Sequence, residues 1–244
     1  SSPPMQVIYD HPEFFIIAKP QGVTQHEASN GLPAVLPLFK AALANMAYPE
    51  AQYAHLHLVH RLDDHTSGCL IIAKHAVAAE RFRELFSQQR IQKYYVALSH
   101  AKGKRKAGWV KGDMVNKRKG QWVLTKSVER PAISYFFRQG LGNGLYLFWV
   151  KPFSGKTHQV RVALKSNGSG ILGDPQYSSE PAQRMYLHAF ALDFIYEDEP
   201  IQIHCPVDHI EPHENDTDSW FHDPHIINAI TPDIMHSFNW PLQP

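Results

Sequence analysis

The sequence predicts an α+β protein with a mixed, mostly antiparallel central sheet flanked by helices and loops. Three observations support that fold class. Apolar runs of strand length outnumber helical periods, several such runs follow one another directly, and short polar turns join them. Consecutive strands without helices between them form hairpins, whereas a doubly wound sheet requires strands and helices to alternate.

The N-terminal part of the chain supplies three predicted strands and two predicted helices. The strands are short apolar runs bounded by polar or proline-containing turns. They are Phe14–Ala18, Cys69–Ala73 and Tyr94–Leu98. In the helices, Ala34–Ala47 and Val77–Gln89, apolar residues recur every three or four positions.

Strands dominate the rest of the sequence. Residues 102–119, here called the basic segment, hold eight Lys or Arg against one acidic residue and predict a glycine-punctuated hairpin or loop. Further strand-like runs are 122–125, 133–137, 145–150, 186–196 and 201–204. One helix is expected at Thr157–Lys165, with Thr157 as its N-cap and Asn167-Gly168 at its end.

Composition narrows the class of protein. With 244 residues and 43% hydrophobic content, the chain can bury a sizeable core, which excludes general disorder. Its apolar runs are shorter than the roughly 18 residues of a membrane-spanning helix. The start of the sequence does not resemble a secretory signal. Cys69 and Cys205 are expected to be reduced and packed, so we expect a cytoplasmic protein.

The net charge of +1 conceals two oppositely charged regions. All 24 Lys and Arg lie in residues 1–184 with 12 acidic residues, a net charge of +12, and residues 185–244 carry −11. Such asymmetry indicates a nucleic-acid partner for the basic region, or a basic domain with a solubilising tail. We predict one domain over residues 5–207 and an acidic, His-rich C-terminal appendage over 208–244, packed on it.

The densest polar cluster, His55–Gly68, has two functional interpretations. Its imidazoles and carboxylates are natural metal ligands, although their spacing fits neither His-Glu-x-x-His nor a Cys/His finger, and Arg61 lies among them. The candidate ligands are His57, His60, Asp64 and His65. Alternatively, the cluster is a rigid loop that presents Asp63 as a base or nucleophile. Asp63 as an ordinary turn residue or ion-pair partner is the structural alternative.

A second polar cluster spans Ser154–Val162. Lys156 suggests a phosphate contact, but the glycine spacing of a P-loop is missing. Thr157 and Arg161 are four residues apart and would share one helix face. Arg161 would then point into a cleft and keep a carboxylate ionised, or it would be a solvated arginine on a helix surface.

Together these motifs resemble the RluA-type pseudouridine synthases over about residues 7–207. His60-Arg61-Leu62-Asp63-x-x-Thr66-Ser67-Gly68 is similar to the family signature. Five other blocks occur in the family order: Ile17-Ala18-Lys19-Pro20-x-Gly22, Lys93-x-Tyr95-x-Ala97, Gly155–Arg161, Ile171-Leu172-Gly173-Asp174-x-x-Tyr177 and Leu187-His188-Ala189. The departures are Lys156 for Arg, Ala163 for His and Cys69 for Leu. The sequence shows no S4-type RNA-binding module, which favours small substrates, including tRNA.

The resemblance implies an isomerase that converts a uridine in RNA to pseudouridine after base flipping, with no cofactor and no metal. Asp63 would be the catalytic carboxylate, which either attacks C1′ or removes the C2′ proton. Arg161 would pair with Asp63, and Tyr95 would stack on the uracil and assist proton removal from C5. Arg61 would fill the gap left by the flipped base or hold a phosphate.

Further residues are expected to contact the RNA. The predicted substrate-binding residues are Arg61, His60, Thr66, Lys156, His158 and Leu164. The predicted RNA-backbone contacts are Lys102, Lys104, Arg105, Lys106, Lys117, Arg118 and Lys119. The expected partner is a tRNA or rRNA hairpin bound by a monomer. Two alternatives stay open: a catalytically silent RNA-binding protein of this fold, and a metal-dependent hydrolase built on the histidines.

Overall fold

The computed structural model describes residues 5–27, 31–209 and 219–244. The chain forms two compact units. Among the described residues, unit 1 contains 5–91 and 189–209, and unit 2 contains 92–188 and 219–244. Described residues of the predicted appendage therefore belong to both units. Residues 210–218, including His213, lie outside the described residues.

Twelve strands and five α-helices occur in the described chain. In order they are β1 (Gln6–His11), β2 (Phe14–Lys19), α1 (Val35–Asn45), β3 (His57–Leu58), β4 (Ser67–Ala73), α2 (Ala76–Ser87), β5 (Gln92–Ser99), β6 (Ala107–Gly112), β7 (Met114–Asn116), β8 (Trp122–Leu124), β9 (Ala132–Gly142), β10 (Leu145–Pro152), α3 (Gln159–Ser166), β11 (Leu187–Tyr196), β12 (Glu199–His204), α4 (Pro224–Ala229) and α5 (Pro232–Ser237). The predicted α+β class is confirmed.

Unit 1 is built on strands in the order β1-β2-β4-β11, with β3 beside β4 and β12 beside β11. The pairs β1–β2, β2–β4, β3–β4 and β11–β12 are antiparallel. Every residue of β2 and β4 is buried, as expected for short runs that are almost wholly apolar. Phe82 of α2 packs its ring against Phe14 of β2, so one face of the helix closes this core.

Unit 2 is an antiparallel sheet in the order β5-β10-β9-β6. Helix α3 buries Val160 and Leu164 in a cluster with residues of β9 and β10. The C-terminal residues supply further aromatic packing, because Phe238 stacks on Phe137 with ring centroids 4.7 Å apart and Trp240 meets the same ring edge-on at 4.8 Å. The C-terminal end of the chain therefore packs on unit 2.

Two tight backbone reversals follow the sequence signals closely. The β11–β12 turn uses Glu197 and Asp198 at positive φ (47° and 67°), the geometry that matches the twist of a two-residue hairpin. Helix α3 ends as expected at Asn167, and Gly168 adopts φ +76°, the left-handed conformation of a helix C-terminus.

The sequence was wrong about the start of α3. The N-cap is His158, not Thr157, and it has left-handed backbone angles (φ 58°, ψ 20°) and no side-chain cap. Thr157 lies before the helix and does not share a helix face with Arg161. The side chain of Gln159 instead accepts from the backbone N–H of Lys156 at 3.0 Å, which holds the approach to the helix.

The sequence also missed α4 and α5, because each has only six residues and is too short to show a helical period. Both begin with proline at the first turn and are capped by a side chain, Asp223 for α4 and Thr231 for α5. Within the described part of the chain, no helix is long and apolar enough to cross a membrane.

Candidate active site

Asp63 lies on the loop between β3 and β4 in unit 1, where it is half-buried. One hydrogen bond within the loop and two hydrogen bonds with the Gln25 side chain hold it in place. The Thr66 N–H donates to the Asp63 carbonyl at 3.0 Å. The Gln25 side chain donates to the His60 carbonyl at 2.7 Å and accepts from the Leu62 N–H. A carboxylate on a loop held at several points is preorganised for chemistry.

The next residue, Asp64, is held through its backbone by the turn that follows β2. Its carbonyl accepts from Lys19 Nζ at 3.1 Å and from the Gly22 N–H at 2.8 Å. Lys19 is fully buried, and its ammonium also donates to the Pro20 carbonyl at 2.8 Å. The Lys-Pro-x-Gly block therefore clamps the loop that carries Asp63.

The far end of the loop enters β4 through a contact that only glycine permits. Gly68 has φ +121°, and a Cβ at this position would lie 2.2 Å from the Ala189 carbonyl oxygen on β11. That separation is far below van der Waals contact, so a larger residue would force the two strands apart. The glycine of the signature therefore has a packing role, which supports the loop rather than contacting a substrate.

Three predicted substrate-binding residues surround Asp63 in sequence. The His60 ring stacks on Phe86 (centroids 4.8 Å apart), and its Nε2 accepts from the Ile71 N–H at 2.8 Å. Thr66 is 2% exposed. Arg61 is exposed and contacts His26 Nε2 at 3.0 Å. These positions favour a loop-positioning role for His60 and Thr66, and they leave Arg61 accessible to a ligand.

Tyr95 lies on β5 of unit 2, is half-buried, and packs against the apolar cluster that contains Leu164. Leu164 itself is 1% exposed. This burial favours a packing role for Leu164 over the direct substrate contact that the sequence predicted. Lys93 is two residues before Tyr95 and shares its face of the strand. Its Nζ lies 3.5 Å from the Ser154 carbonyl.

Burial lowers the pKa of Lys93 to about 8. The folded state therefore binds this proton less tightly than the unfolded chain, whose lysine pKa is near 10.4. The resulting destabilisation is fully present below pH 8 and is relieved as the pH rises from about 8 to 10.4. We expect Lys93→Met to raise the free energy of unfolding by about 3 kcal/mol at pH 7.

Urea unfolding of both proteins at pH 7 and pH 10 checks this expectation. The stability gap between Lys93→Met and the wild type should shrink at the higher pH. Lys126→Met, which changes an exposed lysine, should show no such pH-dependent gap. A gap that stays constant or widens with pH would contradict the role of charge burial.

The loop before α3 is organised by Gln159, which is 5% exposed. Its side-chain Oε1 accepts from Ser154 Oγ at 2.7 Å. Its side-chain Nε2 donates to the Ile133 carbonyl and to Ser134 Oγ, each at 2.9 Å. Lys156 is exposed on this loop. The structure thus presents the Lys156 ammonium to solvent, while the neighbouring glutamine fixes the backbone.

Arg161 is 5% exposed and lies against Asp174, which is 1% exposed. Nε donates to Asp174 Oδ2 and Nη2 to Asp174 Oδ1, both at 2.8 Å. Nη2 also donates to Gln176 Oε1 at 2.9 Å, and the guanidinium lies 5.0 Å from the centre of the Tyr177 ring. A bidentate arginine–carboxylate pair fixes the plane of the guanidinium.

Tyr177 links this pair to His158, the remaining predicted site residue. The Tyr177 hydroxyl lies 2.8 Å from His158 Nδ1 and accepts from the Trp122 N–H at 2.8 Å. Sequence reasoning did not select Asp174, Gln176 or Tyr177 as functional. A signal was available for two of them, because Asp174 and Tyr177 belong to one of the blocks that carry the resemblance.

The basic segment forms β6, β7 and the turn that leads to β8. All seven predicted backbone-contacting cations are exposed. Lys104 and Arg105 are anchored through their backbone N–H groups to Asn167, at 2.7 and 3.1 Å. At the other end, Arg118–Gly120 is a single 3₁₀ turn in which Lys119 has left-handed angles (φ 59°, ψ 32°). The segment therefore presents its charges from a fixed backbone.

The structure also bears on the metal-site interpretation of the His55–Gly68 cluster. In the described ranges, no group of three or more His, Cys, Asp or Glu side chains is arranged to hold a metal ion. His60 uses Nε2 to accept from the Ile71 N–H, as described above, so that nitrogen already has a partner.

Unit 1 of the fold holds a carboxylate on a clamped loop, and unit 2 holds an aromatic hydroxyl, a fixed guanidinium and an exposed basic hairpin. The family model for RNA pseudouridylate synthase matches residues 13–166. An RNA pseudouridine synthase of Haemophilus influenzae, described as uncharacterized, is 40% identical over 203 residues, which cover 82% of this chain and 87% of that protein. The chain therefore belongs to the RNA pseudouridine synthase family and is an enzyme, an isomerase.

More distant relatives agree in family and in fold. A protein named ribosomal large subunit pseudouridine synthase C, from Rickettsia bellii, is 31% identical over 192 residues; the match covers 75% of this chain and 61% of that protein. The solved structure of human RNA pseudouridylate synthase domain containing 1 superposes with a TM-score of 0.66 at 21% identity, covering 83% of each chain. That likeness confirms the fold.

Proposed function

We propose that the enzyme converts a specific uridine of large-subunit ribosomal RNA to pseudouridine, with Asp63 as the catalytic carboxylate. The clamped loop around Asp63 is the observation that carries the proposal. The name of the Rickettsia relative, a ribosomal large subunit pseudouridine synthase, supports ribosomal RNA as the substrate. The sequence alone left tRNA and rRNA both open and favoured small substrates, including tRNA, so both classes enter the test.

The reaction rearranges one nucleotide without a net change of atoms. The C1′–N1 bond breaks, the uracil turns within the site, C5 bonds to C1′, and the C5 proton is transferred so that N1 ends protonated. Asp63 either attacks C1′ to form an ester that is later displaced, or removes the C2′ proton to give a glycal. Both routes require an ionised carboxylate at the sugar.

The other predicted residues take supporting roles in this proposal. Tyr95 offers a flat ring for the uracil and a hydroxyl that can take part in proton transfer from C5. Arg161 supplies a fixed positive charge. Its pairing with Asp63 stays a prediction from the resemblance. Exposed Arg61 fills the gap left by the flipped base or contacts a phosphate, and Lys156 is a further phosphate contact.

Mapping identifies the substrate directly. Total RNA from cells with and without the gene is compared for pseudouridine at single-nucleotide resolution, and purified protein is then added to the RNA from the deleted strain. The proposal expects one or a few sites in large-subunit ribosomal RNA to disappear with the gene and to return on incubation. Sites confined to tRNA would overturn the substrate class, and restoration of none would overturn the activity.

We expect the tip of the β7–β8 hairpin to bind the RNA backbone electrostatically. Replacing Lys117, Arg118 and Lys119 with glutamine, here called the tip variant, removes three exposed charges. Each lost phosphate contact lowers the slope of log affinity against log salt by about 0.7 to 0.9. The slope of the tip variant should therefore be smaller than that of the wild type by about 2.

Filter binding of unmodified large-subunit ribosomal RNA across a salt series measures this slope. The matched control replaces three cations of unit 1, Lys40, Arg83 and Arg90, with glutamine, which gives the same change in net charge. The control should keep the wild-type slope. Equal slopes for the tip variant and the wild type would show that the tip does not bind phosphates.

A further inference from the structure

The loop Gly173–Tyr177 contacts Arg161 on one side and the β7–β8 hairpin on the other. We propose that Gln176 is a positioning residue that couples the tip of this hairpin to the Arg161 guanidinium, so that RNA bound at the tip improves the alignment of Arg161. The inference rests on the proposed RNA contact of the tip. It assigns a functional role to a residue at a variable position of the block Ile171–Tyr177.

The first half of the coupling is the contact with Arg161. Gln176 Oε1 accepts from Arg161 Nη2 at 2.9 Å. The same nitrogen donates to Asp174 Oδ1, and that oxygen also accepts from the backbone N–H of Gln176 at 2.9 Å. Backbone and side chain of Gln176 are thus tied to the same buried ion pair. A movement of Gln176 changes the hydrogen-bond geometry at Nη2.

The second half is the contact with the hairpin. Gln176 Nε2 lies 3.4 Å from the Lys119 carbonyl, at the centre of the tip. Gln121 Nε2 donates to the Gln176 carbonyl at 2.7 Å. One residue further on, the Trp122 N–H donates to the Tyr177 hydroxyl at 2.8 Å. Three hydrogen bonds therefore join the β7–β8 hairpin to the two consecutive residues 176 and 177.

An amide is suited to this task because it has an acceptor and a donor at one end. The guanidinium has only donors, and the Lys119 carbonyl has only acceptors, so rotating the amide by half a turn would create repulsion at both contacts. The orientation of Gln176 is therefore set by both neighbours at once. Glutamate would keep the acceptor for Arg161 but lose the donor, and methionine would lose both.

Lys119 combines a candidate phosphate contact, its side chain, with the carbonyl that Gln176 contacts. Lys119 has a left-handed backbone, which is costly for a residue with a side chain, and its carbonyl is the one that Gln176 contacts. Its ammonium group is exposed. In the proposed coupling, a phosphate bound by the side chain of Lys119 holds this residue in the backbone conformation that the Gln176 amide contacts.

The test is a double-mutant cycle on kcat, measured with total RNA from gene-deleted cells at saturating concentration. In the wild-type background, we expect the tip variant to raise KM and also to lower kcat about tenfold, which corresponds to about 1.4 kcal/mol. In the Gln176→Met background, the tip variant should raise KM but change kcat less than twofold. Gln176→Glu should uncouple the tip in the same way.

Gln139→Met is the matched control. Gln139 is also half-buried in unit 2, and its side chain accepts one hydrogen bond, from Trp149 Nε1 at 3.0 Å. In this background the tip variant should keep its full tenfold effect on kcat. Equal kcat effects of the tip variant in the Gln176→Met and Gln139→Met backgrounds would overturn the coupling, as would a tip variant that leaves kcat unchanged in the wild type.

Hydrogen exchange separates this inference from the proposed function. Unmodified large-subunit ribosomal RNA should slow exchange of the Gln176 and Tyr177 amides, which donate to Asp174 Oδ1, in Gln139→Met but not in Gln176→Met. If the wild-type protein makes no pseudouridine but the two variants differ in this way, the proposed function is disproved and the coupling stands. If the wild-type protein is active but RNA slows exchange equally in both variants, the proposed function stands and the coupling is overturned.

Discussion

Asp63→Asn is expected to fold as the wild type does and to produce no detectable pseudouridine, a loss of at least about a thousandfold in turnover. An amide has nearly the size of a carboxylate, but it is neither an adequate nucleophile for C1′ nor a base for the C2′ proton. The loop should keep its conformation, because the hydrogen bonds that hold it are made by the backbone of residues 60–66 and the side chain of Gln25. Liquid chromatography of digested RNA measures the product.

Asp64→Asn is the control for that experiment. Asp64 is the adjacent carboxylate, and its contacts with Lys19 and Gly22 use its backbone carbonyl, which the substitution keeps. Its activity should stay within about threefold of the wild type. Comparable activity in Asp63→Asn and Asp64→Asn would disprove the assignment of Asp63, and equal inactivity of both would indicate damage to the loop instead.

Asp174→Asn is expected to be strongly destabilising, by about 3 to 5 kcal/mol, because it leaves the buried guanidinium of Arg161 without its counter-charge. Both residues are at most 5% exposed, so water cannot replace the lost partner. Urea unfolding gives the change in stability. Asp198→Asn, on the exposed β11–β12 turn at φ 67°, is the control, since asparagine accepts that conformation readily.

A double variant separates the structural and functional parts of this result. Arg161→Met added to Asp174→Asn removes the unpaired charge and should recover much of the lost stability. It should not recover activity, because the guanidinium is gone. If the double variant were as active as the wild type, the proposed role of the Arg161 charge would be wrong. If Asp174→Asn alone were as stable as Asp198→Asn, the pair would contribute little.

Much of the fold was visible in the sequence because the signals are local. The run Phe14–Lys19 is almost wholly apolar and becomes a fully buried strand, and the period in Val77–Gln89 becomes α2. Local patterns failed where the element was shorter than its own period, as in α4 and α5. They failed again at Thr157, because the choice of N-cap depended on the left-handed backbone of His158.

The candidate site likewise has a part that could be predicted from the sequence and a part that could not. The signature around Asp63 was readable because its residues are consecutive and carry the chemistry themselves. The hydrogen-bond partners of Arg161 could not be predicted from the sequence, because Asp174 is 13 residues away and Gln176 is 15 residues away. Sequence spacing gives no direction for a side chain across such a gap. The resemblance marked Asp174 as part of a motif without saying what it contacts.

The sequence by itself determined the class of fold, the loop that presents Asp63 and the exposed basic segment, since each follows from neighbouring residues. Only the tertiary structure decided which partners each charged side chain contacts. It fastened the Asp63 loop with Gln25 and Lys19, and it brought Asp174 and Gln176 to Arg161. The physical reason is that electrostatic and hydrogen-bond energies depend on distances of a few ångströms, which the folded backbone sets and a linear spacing does not.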